Sequence, residues 1–198
     1  MSDGLVLGFD TSAAHCAAAL LSGNEILCET CEEMGRGQAE RLFPLLEDLL
    51  ASAGADWSDL ARIGVGTGPG NFTGIRISVS AARGLALALD IPAVGVSLFE
   101  VIAAEMAGTR HLPAVPAPRD QLYIKPTSEA PRLVQDAEAR AMDLPLTWPP
   151  APTHLAGVIA RLAARADRPL SPPAPLYIRP ADAALPREAP PAILDDDT

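Results

Sequence analysis

Apolar residues come first in short extended runs and then in a helical period. Residues 5 to 9 (LVLGF) form an apolar run that ends at Asp10-Thr11-Ser12, and apolar residues resume from Cys16 to Leu21 before Ser22-Gly23-Asn24. A third extended run covers Ile26 to Cys31, so the chain opens as strand, tight turn, strand, Gly-containing turn, strand. From Gln38 to Ala53 the period changes. Leu42, Leu45, Leu46, Leu49 and Leu50 recur at i, i+3, i+4, i+7 and i+8, which predicts an amphipathic helix closed by Gly54. Pro44 lies inside that pattern and is expected near the helix start, where a missing N–H is tolerated best.

Ile63 to Gly66 reads as a short strand leading into GTGPGNFTG, followed by a helix from about Thr73 to Leu89 with Asn71 or Thr73 as its cap. Asp90-Ile91-Pro92 stops that helix, Ala93 to Val96 is another strand, and Ser97 caps a third helix to about Ala107. The order βββαβαβα predicts an α/β fold: a mixed sheet with helices on its faces, as in a ribonuclease-H-like or actin-like lobe. After Thr109 short apolar pieces (Leu112 to Val115, Gln121 to Ile124) lie between prolines, the grammar of edge strands and loops. One clear helix is expected from about Thr153 to Ala166, with Leu155, Val158, Ile159 and Leu162 on one face, and a PLYIRP segment precedes an acidic end. The expected division is an N-terminal lobe over 1–107, a reduced Pro-rich second lobe over 108–190, and an acidic tail over 191–198.

Composition sharpens that division. Residues 1–99 hold 13 Gly and 3 Pro, and residues 100–198 hold 2 Gly and 17 Pro, so the tight turns belong to the first part. The 198 residues are 48% hydrophobic and 20% charged, enough to bury a core. Formal charge is −10, divided as −7 over 1–99 and −3 over the rest, which speaks against an extended nucleic-acid or membrane footprint. Arginine supplies 14 of the 15 cations; Lys125 is the lone lysine, so no Gly-rich segment carries the lysine of a P-loop. The longest stretch without a charged residue, Leu144 to Ala160, is broken by four prolines, so no membrane span is expected and the location expected is the cytoplasm. Cys16, Cys28 and Cys31 read as reduced thiols on strands.

Two segments carry candidate chemistry. Gly66-Thr67-Gly68-Pro69-Gly70-Asn71-Phe72-Thr73-Gly74 places alternate glycines between a strand and a helix, where a backbone can approach a phosphate at a helix N-terminus. Its spacing fails the dinucleotide fingerprint, so Gly68, Pro69, Gly70 and Asn71 form either a degenerate phosphate site or a tight strand-to-helix turn. Asp10, Thr11 and Ser12 at the end of the first strand suit a metal-bound phosphate, or equally an Asx or ST turn. His15, His111 and His154 are isolated in sequence, so no sequence-local metal pair is expected. The helix over 38–53 and the small-residue helix after Thr73 raise a different question: each could pack internally or meet a partner helix.

The strand ending in Asp10-Thr11-Ser12, the helix AERLFPLLEDLL, the string GPG-x-FTG-x-R (Gly68, Pro69, Gly70, Phe72, Thr73, Gly74, Arg76) and the late PLYIRP resemble the TsaB (YeaZ) family. The resemblance is strong over roughly 4–107 and weak afterwards. It implies an actin-like (ASKHA) fold with a reduced second lobe, and a non-catalytic subunit of the machinery that makes threonylcarbamoyladenosine in tRNA. It further implies pairing with the transferase subunit TsaD and the ATPase TsaE, tRNA contact only through that complex, or self-pairing as a homodimer through the same helices. On that basis the partner interface is expected at Arg41, Leu42, Leu45, Leu46 and Leu49 of the first helix, and Ile75, Ser78, Val79, Ala82 and Ala86 of the second. No metal or resident cofactor is expected, beyond a weakly held ATP or ADP at the interface with partners. The rival readings are an ATP-dependent phosphotransferase or ATPase acting on a small metabolite, and a metal-dependent protease. The segment Ala117-Pro118-Arg119-Asp120-Gln121-Leu122-Tyr123 departs from the family's Asp-Ala-Arg pattern, which bears on any ligand role of the second lobe.

Overall fold

The computed structural model describes residues 4–167 and 171–178. The expected acidic tail over 191–198 and the end of PLYIRP lie outside the described residues. Three antiparallel strands open the chain: β1 (Leu5–Asp10), β2 (His15–Ser22) and β3 (Glu25–Glu33). Two more, β4 (Leu60–Gly66) and β5 (Ala93–Val96), add in parallel beside β1, giving the order β3-β2-β1-β4-β5.

Strand alternation sends successive side chains to opposite faces, and both faces of this sheet are covered. Leu7, Phe9 and Leu20 meet α1 (Gln38–Ser52) and α2 (Phe72–Leu89) on one face. Val6, Leu21, Val94 and Val96 meet α3 (Leu98–Glu105) and α5 (Pro152–Arg165) on the other. The expected caps are in place. Asn71 accepts from Gly74 N at 2.9 Å at the start of α2, Asp90 ends that helix with φ 55°, and Ser97 and Glu100 form a capping box on α3. Pro44 is the seventh residue of α1 rather than part of its first turn. The helix continues through it because Pro44 is exposed while Leu42, Leu45, Leu46, Leu49 and Leu50 bury the opposite face.

The second part holds more structure than edge strands and loops. β6 (Leu112–Ala117), β7 (Gln121–Ile124) and β8 (Arg132–Gln135) form an antiparallel meander, followed by the short α4 (Asp136–Arg140). β9 (Leu146–Thr147) joins the far side of β6 in parallel. Leu112, Ala114, Leu122, Ile124 and Val134 close a small core of their own.

A boundary at 107/108 does not follow the packing. α5 lies across β1, β2 and β4 of the first sheet, so the chain returns from the second sheet to complete the first. Its seat is built from small residues: a Cβ on Gly8 would stand 2.5 Å from Ala156 O and 2.7 Å from Ala160 N, and one on Gly64 would stand 2.8 Å from Ala163 Cβ. Arg62 then closes the helix end by donating to Ala163 O, Ala164 O and Ala166 O at 2.6, 3.2 and 2.8 Å, placing a cation where the free carbonyls converge. By length and composition α2 could cross a membrane (18 residues, mean hydropathy 1.2), yet Ile75, Ser78, Val79, Ala82 and Leu85 are buried against this domain.

Candidate functional site

β1 ends at the β1–β2 hairpin, and the loop after β4 runs directly beneath it. That proximity decides what the glycine string does. Asn71 N donates to Ser12 O at 2.7 Å, and Thr11 Oγ1 donates to Gly74 O at 2.7 Å. A Cβ on Gly70 would collide with Ser12 O, and one on Gly74 would collide with Thr11 O. The backbone approach that glycine permits is therefore made by the hairpin, not by a ligand. At the helix N-terminus Gly74 N is already capped by the Asn71 side chain.

Asp10 is fully buried and aimed inward. Its Oδ1 accepts from Ser12 N (2.9 Å), Ser12 Oγ (2.8 Å) and His15 Nε2 (2.8 Å). Its Oδ2 has no partner among the described residues and rests against the Gly66 backbone, where a Cβ would collide with it. Both oxygens are closed off from solvent, and both hairpin hydroxyls are committed within the protein. Asp10, Thr11, Ser12, Gly68, Pro69, Gly70 and Asn71 do come together, but they do not fit a nucleotide phosphate at this loop.

His15 was missed as a member of this group because it looks isolated in sequence. The signal that could have found it is the hairpin itself, which pairs Asp10 with Ala17 and so returns residue 15 to the end of β1. Asp10, Ser12 and His15 are the residue types of a hydrolase triad, wired differently. In a working triad the histidine bridges the serine and the aspartate; here the aspartate bridges the other two, leaving Ser12 Oγ without a histidine partner. Among the described residues no group of three or more His, Cys, Asp or Glu is placed to hold a metal ion. Above this floor Ser12, His15, Asn71, Leu98, Tyr123 and Pro149 border a cavity of about 450 Å³ between the two sheets, lined mostly by apolar side chains.

The cysteines separate in space. A three-residue spacing along β3 puts Cys28 under α1, with its thiol 3.5 Å from Leu49 O, and Cys31 on the opposite face beside Ala17 and Ala156. Burial, then the Glu32 charge, pushes the Cys16 thiol from 9.0 up to about 11, and burial also raises Cys31. With a folded pKa above the unfolded one, the thiol favours folding below pH 9 and loses that contribution as pH climbs toward 11. At pH 8 iodoacetamide should label Cys28 and Cys31 in the folded protein well before Cys16; peptide mass mapping showing equal rates would contradict this burial.

The expected interface residues are mostly internal. Leu42, Leu45, Leu46, Leu49, Ile75, Ser78, Val79 and Ala82 are buried in this chain, and Ser78 Oγ donates to Gly66 O at 3.3 Å. The apolar stripe that marks an amphipathic helix is the one that faces its own sheet, which corrects that assignment. Arg41 and Ala86 are half-buried. Arg41 is tied to β3 and its own helix by bonds to Glu32 (2.8 and 2.6 Å) and Asp48 (2.9 Å); the guanidinium holds the Glu32 carboxyl below its usual range. The outward stripe of α2 is instead Phe72, Arg76, Ser80, Arg83 and Leu87, spaced one helical turn apart. Leu87 is 86% exposed, and Phe72 stacks on Tyr177 at 4.9 Å with the Arg76 guanidinium 5.2 Å from its ring centre.

The family model described as "TsaD: tRNA N6-adenosine threonylcarbamoyltransferase" matches residues 31–174. The TsaB protein of Escherichia coli is 32% identical over 124 residues, covering 60% of this chain and 52% of that protein, and the Bacillus subtilis TsaB is 35% identical over 123 residues. The solved structure of YeaZ from Pseudomonas aeruginosa superposes with a TM-score of 0.64 at 26% identity, covering 81% of this chain and 90% of that one. The chain belongs to the TsaB (YeaZ) family. Its fold is the actin-like, ribonuclease-H-like fold of YeaZ. The chain spans about half the length of the curated TsaB relatives it matches. An uncharacterized Mycobacterium tuberculosis protein matches more completely, with 31% identity over 200 residues, 90% of this chain and 93% of that one.

Proposed function

We propose that this chain is a non-catalytic subunit of the machinery that transfers threonylcarbamoyl to N6 of the adenosine beside the tRNA anticodon. The TsaB relatives carry the name "tRNA threonylcarbamoyladenosine biosynthesis protein", which supports the process. The observation that carries the non-catalytic reading is the sealed loop. Thr11, Ser12, Asn71 and Gly74 hydrogen-bond one another across the hairpin, and both Asp10 oxygens face inward. A phosphotransferase or ATPase would need those groups turned outward toward its nucleotide.

The chain acts by pairing. Its partner is the TsaD subunit, which docks on the outward stripe of α2, with Phe43 of α1 alongside; the small ATPase TsaE joins the assembly, and tRNA is reached only through it. A second copy of this chain is the competing occupant of the same face. A helix that exposes Gly84, Leu87 and Ala88 just beyond Arg83, with Arg76 about two turns earlier, offers close backbone approach with positive charge at one end. Co-expression with the TsaD of the same organism should give a stable complex, and the purified chain alone should show no ATP turnover. Failure to co-purify, or ATP hydrolysis abolished by Asp10→Ala, would overturn the reading.

A further inference from the structure

The antiparallel register of β6 and β7 gathers cations that lie far apart in sequence. Arg110 and His111 immediately precede β6, Lys125 immediately follows β7 and Thr127 comes two residues later, so all four come to the same end of the hairpin. Lys125 N donates to Pro113 O at 3.2 Å, which locks that end. The side chains line a cavity of about 520 Å³, floored by Phe99 of α3 and by Leu144.

The cavity is built rather than incidental. Thr109 Oγ1 and Thr109 N both donate to Met106 O, at 2.8 and 3.1 Å, fixing the turn after α3. His111 Nδ1 lies 3.0 Å from Thr109 O, a group that only accepts, so Nδ1 carries a proton and Nε2 is the nitrogen left over. Leu112 N donates to Pro145 O at 2.9 Å and holds the opposite wall. Neither Arg110 nor Lys125 forms an ion pair among the described residues, and no described carboxylate lines the cavity. In a chain of net charge −10, whose only lysine is Lys125, unpaired cations lining one surface pocket are the reverse of the general surface.

We propose that this cavity binds a small phosphate-bearing molecule, independently of the partner face on α2. A guanidinium fork, an ammonium and the Thr127 hydroxyl supply directional donors for a multiply charged oxyanion. Phe99 and Leu144 supply an apolar surface for the ligand's uncharged part. The same phosphate chemistry could come from an RNA backbone. A pocket of this size, on a chain that is acidic elsewhere, favours the free small molecule.

The test is isothermal titration of the full chain with sodium pyrophosphate, then with a 12-nucleotide single-stranded RNA as competitor. One-site binding is expected, weakened about tenfold by Arg110→Ala and by Lys125→Ala, the scale of one charge-assisted hydrogen bond. Thr127→Glu, at an exposed position, should abolish it, and Arg36→Ala, exposed on the β3–α1 connection, should not change it. No saturable heat at millimolar pyrophosphate would overturn the proposal, as would an equal loss in Arg36→Ala. Displacement of pyrophosphate by the RNA at equal phosphate concentration would assign the site to a nucleic-acid backbone and overturn it in favour of that partner. Circular dichroism melts of each variant confirm that a lost signal is not lost fold.

Discussion

Ala82→Glu is expected to leave no stable folded monomer, whereas Leu87→Glu, five residues along the same helix, should leave the fold intact and remove the proposed pairing with TsaD. Ala82 is fully buried between α2 and the sheet, and no cation lies among the residues of the core it joins. A carboxylate placed there must be desolvated without a partner, which costs several kcal/mol, and the added methylene and carboxylate overpack the interface by about 1–3 kcal/mol more. That sum is comparable to the whole stability of a domain, about 5–15 kcal/mol. Leu87 is 86% exposed, so the same change meets water. The check is a pair of thermal melts followed by co-purification. An intact Ala82→Glu monomer would show that the inner face opens. A Leu87→Glu variant that still pairs normally would move the docking face away from α2.

Much of the N-terminal sheet was legible because its signals are local. Five leucines at helical spacing placed α1, and Asn71, Asp90 and Ser97 placed helix ends within a residue or two, since each cap acts on the turn beside it. β8, α4 and β9 were not legible. At four, five and two residues they are too short to establish a period, and they exist because Leu122, Ile124 and Val134 find one another across the meander.

The candidate site was legible in membership but not in direction. Gly70, Gly74 and the Asp10 hairpin do meet; which side of the loop they face depends on a contact between residues 63 positions apart, Thr11 and Gly74. Helix periodicity likewise identifies two faces of α2 without saying which one the sheet covers when both carry alanine and glycine. Burial settled that, and it reversed the assignment of Ile75, Ser78, Val79 and Ala82.

Gly8→Val should displace α5 and unsettle both sheets together, even though residue 8 and α5 lie at opposite ends of the chain. Gly8 faces the helix backbone, and the first carbon of any side chain would already stand within 2.5 to 2.8 Å of Ala156 O, Ala160 N and Ala160 Cβ. None of these is the flexible end of a side chain, so the helix as a whole must lift. Lifting it uncovers Leu155, Val158 and Ile159, each worth about 1.5–3 kcal/mol when fully buried, and pulls Arg62 from the three carbonyls it closes. The expected destabilisation is therefore at least about 3 kcal/mol, read as a lower urea midpoint. Hydrogen exchange separates this from general weakening: amides of α5 and β4 should lose protection first, while α1, packed on the opposite face, keeps its order of exchange. Gly84→Val provides the contrast, because a Cβ there meets nothing within 4 Å. Equal losses in the two variants would mean that replacing a glycine by a β-branched residue as such, not the seat beneath α5, sets the effect.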